Sequence, residues 1–453
     1  MGRNGDCMTS STARASAAAL PGGGSPPPAA VPHVAPADIA IGVVIGRASE
    51  YFDYFVYGIA SVLVFPSVFF PFANALDGIL YAFAVFSLAF ISRPFGSVLF
   101  MHVQRRFGRG TKLTAALFLL GTSTAGIAFL PSHAELGATA IVLLSILRIG
   151  QGIALGGSWD GLPSLLALSA PRARRGWYAM MGQLGAPLGF ALAAGLYALL
   201  TVSLVPEDFL SWGWRYPFFC AFAINVVALF ARLRLVVTHE FDALLNLREL
   251  APSDGREVLR NQGHNVVIGA FGALASYALF HLVTVFPLSW ILLYSKQSVS
   301  GFLLIQIIGA GLAAGGTVAS GKIADRIGRR RTLKSLATLI AVFSGFAPTL
   351  LGGGTLGQDV FILIGFALLG LSYGQAAGAM NSSFEPRYRY TGAALTSDLA
   401  WLIGAGFAPL VALGLSANFG LGYVSLYLLS GAACTLLALR VDLALQERDE
   451  ADT

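Results

Sequence analysis

Long apolar runs separated by short polar stretches dominate the chain. A membrane-spanning helix needs about 20 mainly apolar residues. Twelve stretches meet that requirement. The first six lie near 38–65, 77–101, 111–131, 138–168, 176–203 and 214–235, and the second six near 264–293, 301–321, 332–352, 358–382, 391–415 and 421–440. Between the two sets, Val236 to Gly263 form the longest polar interruption, with Glu240, Asp242, Arg248, Glu249, Asp254, Arg256, Glu257 and Arg260. The pattern predicts an all-α membrane protein with twelve transmembrane helices in two six-helix, pseudo-symmetric halves, at 37–235 and 264–445. A solvated cytosolic linker is expected over 236–263 and a short cytosolic tail over 446–453. Residues 1–36 are rich in Ala, Pro, Gly and Ser and lack the apolar core of a signal peptide, so a disordered cytosolic extension is expected there.

Composition points the same way. Of 453 residues, 56% are hydrophobic and only 11% charged, against about 25% charged in soluble domains. That leaves too little polar surface to solvate a body of this size, and lipid is the natural solvent. The 53 glycines and 20 prolines fit membrane helices, where both are common and small residues let helices approach closely. The net charge of +6 does not imply nucleic-acid binding, because the basic residues sit in short clusters between apolar runs and form no continuous face. Cys7, Cys220 and Cys434 are far apart, with neither disulfide nor metal-ligand spacing, so no metal or cofactor is expected. With no phosphate loop or nucleophile elbow, the chain reads as no enzyme and as no ATP-driven machine.

Loop charge sets the expected orientation. The 2–3 connection carries Arg105, Arg106, Arg109 and Lys112; the 4–5 connection carries Arg172, Arg174 and Arg175. The 8–9 connection carries Lys322, Arg326, Arg329, Arg330, Arg331 and Lys334. Alternate connections are nearly free of Lys and Arg, which places both termini in the cytosol of a bacterial-type inner membrane. Two of the basic connections also repeat. Residues 101–109 read M-H-V-Q-R-R-F-G-R and residues 321–329 read G-K-I-A-D-R-I-G-R, 220 residues apart.

This pair of loops resembles the hallmark G-x-x-x-D-R-x-G-R-[RK] of the major facilitator superfamily. The chain is more specifically similar to its metabolite:H⁺ symporter branch, whose members carry carboxylates, betaines and related small metabolites. The resemblance rests on Glu50-Tyr51-Phe52-Asp53-Tyr54-Phe55 with Tyr57-Gly58, on Arg93-Pro94-Phe95-Gly96 and on Arg148-Ile149-Gly150-Gln151-Gly152 with Gly156-Gly157-Ser158-Trp159. It continues through Trp212-Gly213-Trp214-Arg215-Tyr216-Pro217-Phe218 and Arg389-Tyr390-Thr391-Gly392, so the set covers roughly residues 40–445. It implies the major facilitator fold, a small-molecule substrate, protons as coupling ions and rocking of two halves within the lipid bilayer; a monomer is expected. The gate motif would comprise Gly321, Asp325, Arg326, Gly328 and Arg329, with Arg106, Gly108 and Arg109 in the first copy. The chain departs from the pattern at several acids. Arg105 stands where the first loop motif has aspartate, Ser158 replaces a helix 4 acid while Asp160 appears two residues on, and Asp398 occupies a helix 11 amide position.

Ionisable groups at membrane depth are costly and so are functional candidates. Arg47, Glu50, Asp53, Arg93, Arg148 and Asp160 balance in charge, which suggests internal pairing around a polar cavity bounded by helices 1, 2, 4, 7 and 11. Asp53, Asp398, Glu50 and Asp160 are the proton-coupling candidates. Arg47 beside Glu50 opposes proton uptake there, so Asp53, Asp160 and Asp398 are preferred. Arg148 and Arg93 are candidate carboxylate anchors because a guanidinium offers two parallel hydrogen bonds. Tyr54, Tyr57, Gln151, Trp159 and Tyr373 complete the candidate substrate site. An ion pair without transport chemistry is the competing reading for Glu50, Asp53 and Asp160. Arg105 in place of an acid predicts a weakened or rewired gate in the first half. Two other functions stay open: an uncoupled facilitator or exchanger, and a degenerate carrier serving as a membrane sensor or scaffold.

Overall fold

The computed structural model describes residues 36–159, 161, 166, 170–236, 250–379 and 384–451. Asp160, the expected tail before Pro36 and the first part of the linker lie outside the described residues.

Among the described residues the chain forms twelve long helical segments. In the first half these are α1 (Pro36–Leu63), α2 (Ala75–Phe107), α3 (Arg109–Ala128), α4 (Ala138–Gly157), α5 (Arg175–Ser203) and α6 (Tyr216–Val236). The second half has α7 (Leu274–Tyr294), α8 (Val299–Ile327), α9 (Arg329–Gly352), α10 (Gly354–Ala379), α11 (Pro386–Phe419) and α12 (Gly422–Ala451). Ten of the twelve are long and apolar enough to cross a bilayer. The other two are α1, which carries Arg47, Glu50 and Asp53 inside its length, and the hydroxyl-rich α3. A helix at Gly255–Gly272, kinked at Gln262, leads into α7 and occupies the last part of the expected linker. Helix α4 stops at Gly157, short of the expected end near 168, and α2 and α8 run beyond their expected ends to Phe107 and Ile327.

The duplication seen in the sequence is also a duplication of shape. Helices α2 and α8 both end on a glycine with positive φ, Gly108 at 87° and Gly328 at 86°. Their amides donate to the carbonyls of Gln104 and Ala324, both at 3.0 Å. That left-handed region suits glycine and strains other residues. Each half also has a glycine-built crossing. A Cβ on Gly152 of α4 would lie 2.2 Å from the Ala89 carbonyl oxygen of α2, and one on Gly370 of α10 would lie 2.1 Å from the Ala313 carbonyl oxygen of α8. Packing of small residues is how helices associate where lipid removes the hydrophobic drive.

The halves meet along α2 and α11 and along α5 and α8. Ser87 donates to the Gly406 carbonyl at 2.8 Å on the first seam. Residues Trp401–Gly406 of α11 form a π-helical turn at that contact.

Candidate transport site between the two halves

Positions 47, 50, 51 and 54 of α1 recur at three- and four-residue spacing, which puts them on one helical face. In the fold that face looks across to α2, α4 and α11. Arg47, Glu50, Tyr51 and Tyr54, with Arg93, Leu155 and Trp401, line a small cavity of about 30 Å³. That is about one-tenth of the low end of the ~300–1,000 Å³ range of ligand pockets, so the halves are closed tightly around these side chains. Two cross-half hydrogen bonds flank it: the Tyr54 hydroxyl with His281 Nε2, and the Tyr51 hydroxyl with that of Tyr373.

The buried acids are held in three different ways. Glu50 lies between two arginines, with Arg47 Nη1 at 2.8 Å from one carboxylate oxygen and Arg232 Nη1 at 2.5 Å from the other. Arg232, near the end of α6, also donates to the Ser158 carbonyl at 3.1 Å. Asp398 pairs with Arg93 Nε at 2.7 Å and accepts from the Ser97 hydroxyl, so its partners come from the opposite half.

Asp53 is turned away from the cavity face and into the first half. The Thr124 hydroxyl lies 2.9 and 2.8 Å from its two oxygens, and Asn225 Nδ2 donates at 2.8 Å. Gln151 Nε2 stands 3.4 Å from Asp53 and donates to Thr124 at 2.9 Å. Among the described residues no cation comes within ion-pair distance of Asp53. Arg148 reaches it only through Gln151, whose Oε1 accepts from Arg148 Nη1 at 3.0 Å.

Arg148 is not among the residues lining the cavity. It is fully buried, donates to the Phe86 carbonyl at 3.2 Å and lies 3.8 Å from the Tyr57 ring centroid and 5.8 Å from that of Tyr54. The structure thus gathers Arg93, Glu50, Tyr54 and Tyr51 around the cavity, and Asp53, Gln151, Arg148 and Tyr57 in a separate layer behind it. Trp159 covers Arg47 with its ring, 5.6 Å from the guanidinium carbon.

Two latches close the end of the bundle that carries the basic turns. In the second half Asp325 accepts from the backbone amides of Gly176 at 2.7 Å and Trp177 at 3.2 Å, at the start of α5. Carboxylates are favoured at helix N-termini. A Cβ on Gly321 would lie 3.0 Å from the Trp177 Cα, so the motif glycine lets α8 come this close to α5. Arg326 is exposed in the last turn of α8, and Arg329 opens α9 half-buried.

The first half uses other residues. Arg105, at the place matching Asp325, reaches outward to Asp254 at 3.3 Å, and Arg109 reaches the Leu250 carbonyl at 3.5 Å. Arg106 folds over the Phe107 ring. The cross-half contact is made by Lys112, which donates to Tyr390 at 3.1 Å, to Gln104 at 3.2 Å and to the Trp159 carbonyl. Sequence reasoning assigned Lys112 to the 2–3 connection as a topology charge and gave Arg232, Thr124 and Asn225 no role. The available signal was position: Lys112 and Arg232 lie about one turn inside their helices, where a cation needs a partner.

The sequence profile of the Major Facilitator Superfamily matches residues 43–409. The chain belongs to that superfamily. It is 36% identical over 410 residues to the inner membrane metabolite transport protein YhjE of Escherichia coli strain K12, covering 88% of this chain and 92% of the relative. It is 32% identical to the shikimate transporter of the same strain over 415 residues, with 88% and 92% covered. The fold matches the crystal structure of a D-xylose-proton symporter with a TM-score of 0.67 at 20% identity, over 89% of this chain and 96% of the other. As a member of the major facilitator superfamily, the protein is a multi-pass membrane transporter and not an enzyme.

Proposed function

We propose that the protein is a proton-coupled symporter for a small polar metabolite bearing a carboxylate, as an acid or a zwitterion, and that it works by alternating access. In this reading it belongs to the metabolite:H⁺ symporter branch and is a monomer in the inner membrane, with both termini and the basic turns on the cytosolic side. The names of the relatives, a metabolite transport protein and a shikimate transporter, support that substrate range.

The arrangement of α1 carries the proposal. One face presents Arg47, Glu50, Tyr51 and Tyr54 to the inter-half cavity, while the adjoining face buries Asp53 among neutral donors. A proton arriving at Asp53 breaks no ion pair. At Glu50 or Asp398 it would strand a buried arginine, an arrangement that costs about 3–5 kcal/mol. Asp53 is therefore the coupling site, with Asp398 next in line.

Uptake of a metabolite panel into proteoliposomes, with and without an imposed pH gradient, tests this. Asp53→Asn should abolish gradient-driven accumulation and spare exchange. Normal accumulation in Asp53→Asn would sink the assignment. A second reading, the uncoupled exchanger, is favoured by the ion pairs that hold Glu50 and Asp398. It predicts uptake indifferent to the pH gradient in the unmodified chain.

A further inference from the structure

Arg93 is a cavity-lining cation on the first half whose ion-pair partner belongs to the second. Its Nε donates to Asp398 Oδ1 at 2.7 Å, while Ser97, one turn along α2, donates to Oδ2. Asp398 sits in the way a bound carboxylate sits in a guanidinium site, with both oxygens met by donors. A guanidinium has five N–H donors in a fixed fork. Here the Nε edge is engaged, and among the described residues no acceptor is bonded to the Nη groups. Trp401, three residues after Asp398, places its ring centroid 5.7 Å from the guanidinium carbon.

We propose that Asp398 is a built-in competitor of the substrate. The incoming carboxylate takes the Nη edge of Arg93, displaces Asp398 and so removes the ion pair that ties α11 to α2, leaving neutral bonds such as that of Ser87 with Gly406. This rests on reading the cavity as a carboxylate transport site. Two carboxylates on one guanidinium repel each other, so occupancy by one weakens the other. Because Arg93 and Asp398 lie on different halves, losing their bond removes one of the ties between the halves, which alternating access must break. The competition also lowers apparent substrate affinity by the fraction of time the internal bond is closed.

The experiment uses the purified full chain in nanodiscs and compares acetate, lactate and benzoate with their uncharged amides by calorimetry. Carboxylates should bind and amides should not. Asp398→Asn, which removes the competing charge and keeps the side-chain volume, should tighten carboxylate binding about tenfold or more. Ser97→Ala removes only one hydrogen bond to Asp398 and should tighten binding about two- to fivefold, which carries the test if Asp398→Asn fails to fold. Carboxylate affinity equal to or weaker than wild type in the folded variants overturns the proposal. So does equal binding of acids and amides, or a panel in which no carboxylate binds. Gradient-driven uptake with unshifted affinities would defeat this proposal and leave the symporter reading intact. The expected shifts without any gradient-driven uptake would do the reverse.

Discussion

Lys112 of α3 donates to the hydroxyl of Tyr390 of α11 at 3.1 Å, joining the two halves at their basic end. The lysine is only 2% exposed, and the Gln104 side chain and the Trp159 carbonyl take its other protons. The second half closes the same end with an acid, Asp325, on backbone amides. Lys112→Met and Tyr390→Phe should each loosen the first latch. In a background with Cys7, Cys220 and Cys434 changed to serine, thiol labelling of Leu155→Cys in the cavity wall should then speed up about fivefold from the basic end. An unchanged labelling rate would place the latch elsewhere.

Arg232 and Arg47 hold the same carboxylate from unequal positions. The Arg232 side chain is 4% exposed and that of Arg47 16%. A charged hydrogen bond contributes more the less water competes, about 1.5–3 kcal/mol when buried. Arg232→Met should therefore lower stability by about 2 kcal/mol, and Arg47→Met by less, as read from melting of the detergent-solubilised protein. The reverse order would contradict the triad.

Gly152 leaves no room for a side chain. A Cβ there would lie 2.0 Å from Ser92 Oγ and 2.2 Å from the Ala89 carbonyl oxygen, whereas one on Gly345 would meet nothing within 4 Å. Gly152→Ala should cost about 1–3 kcal/mol or more through forced separation of α2 and α4. Gly345→Ala should be tolerated. Folded yield and melting temperature of the two variants, measured together, check the contrast.

Asp254, at the start of the helix Gly255–Gly272, is held below the usual carboxylate range by the Arg256 backbone amide and then by Arg105. A depressed carboxyl contributes above its unfolded value, about 3.9, and loses that contribution as pH falls through its lower folded value. From pH 5 to 8 its charge is constant. Asp254→Asn should thus leave the shape of the uptake–pH profile unchanged over that window, and raised salt should mimic the mutation. A changed slope between pH 5 and 8 would show that this exposed contact reports on a titrating group.

The twelve helices were legible because lipid demands long apolar runs, and the halves because the two loop motifs repeat. Helix ends were harder. Arg105, Arg106 and Arg326 read as loop charges, yet they occupy the last turns of α2 and α8, where cations favour the negative end of the helix dipole and a glycine closes the cap. The Arg47–Glu50 pair was visible from spacing alone. The partners of Asp53 and Asp398 were not, since Thr124, Asn225, Ser97 and Arg93 come from distant segments and only the packing of helices selects them. The expected cavity walls included α7, but Tyr54 meets His281 of α7 directly, and the lining of the cavity described above comes from α1, α2, α4 and α11.

The span between Glu50 and Arg232, 182 residues, also has a meaning in time. At roughly 5–20 residues per second of synthesis, α1 exists for roughly 10–40 s before Arg232 is made. During that interval a lone carboxylate at bilayer depth would oppose insertion. Arg47, three residues away on the same helix, is the partner available from the start. The more exposed of the two arginines is then the one that lets the first helix wait in the membrane for the sixth.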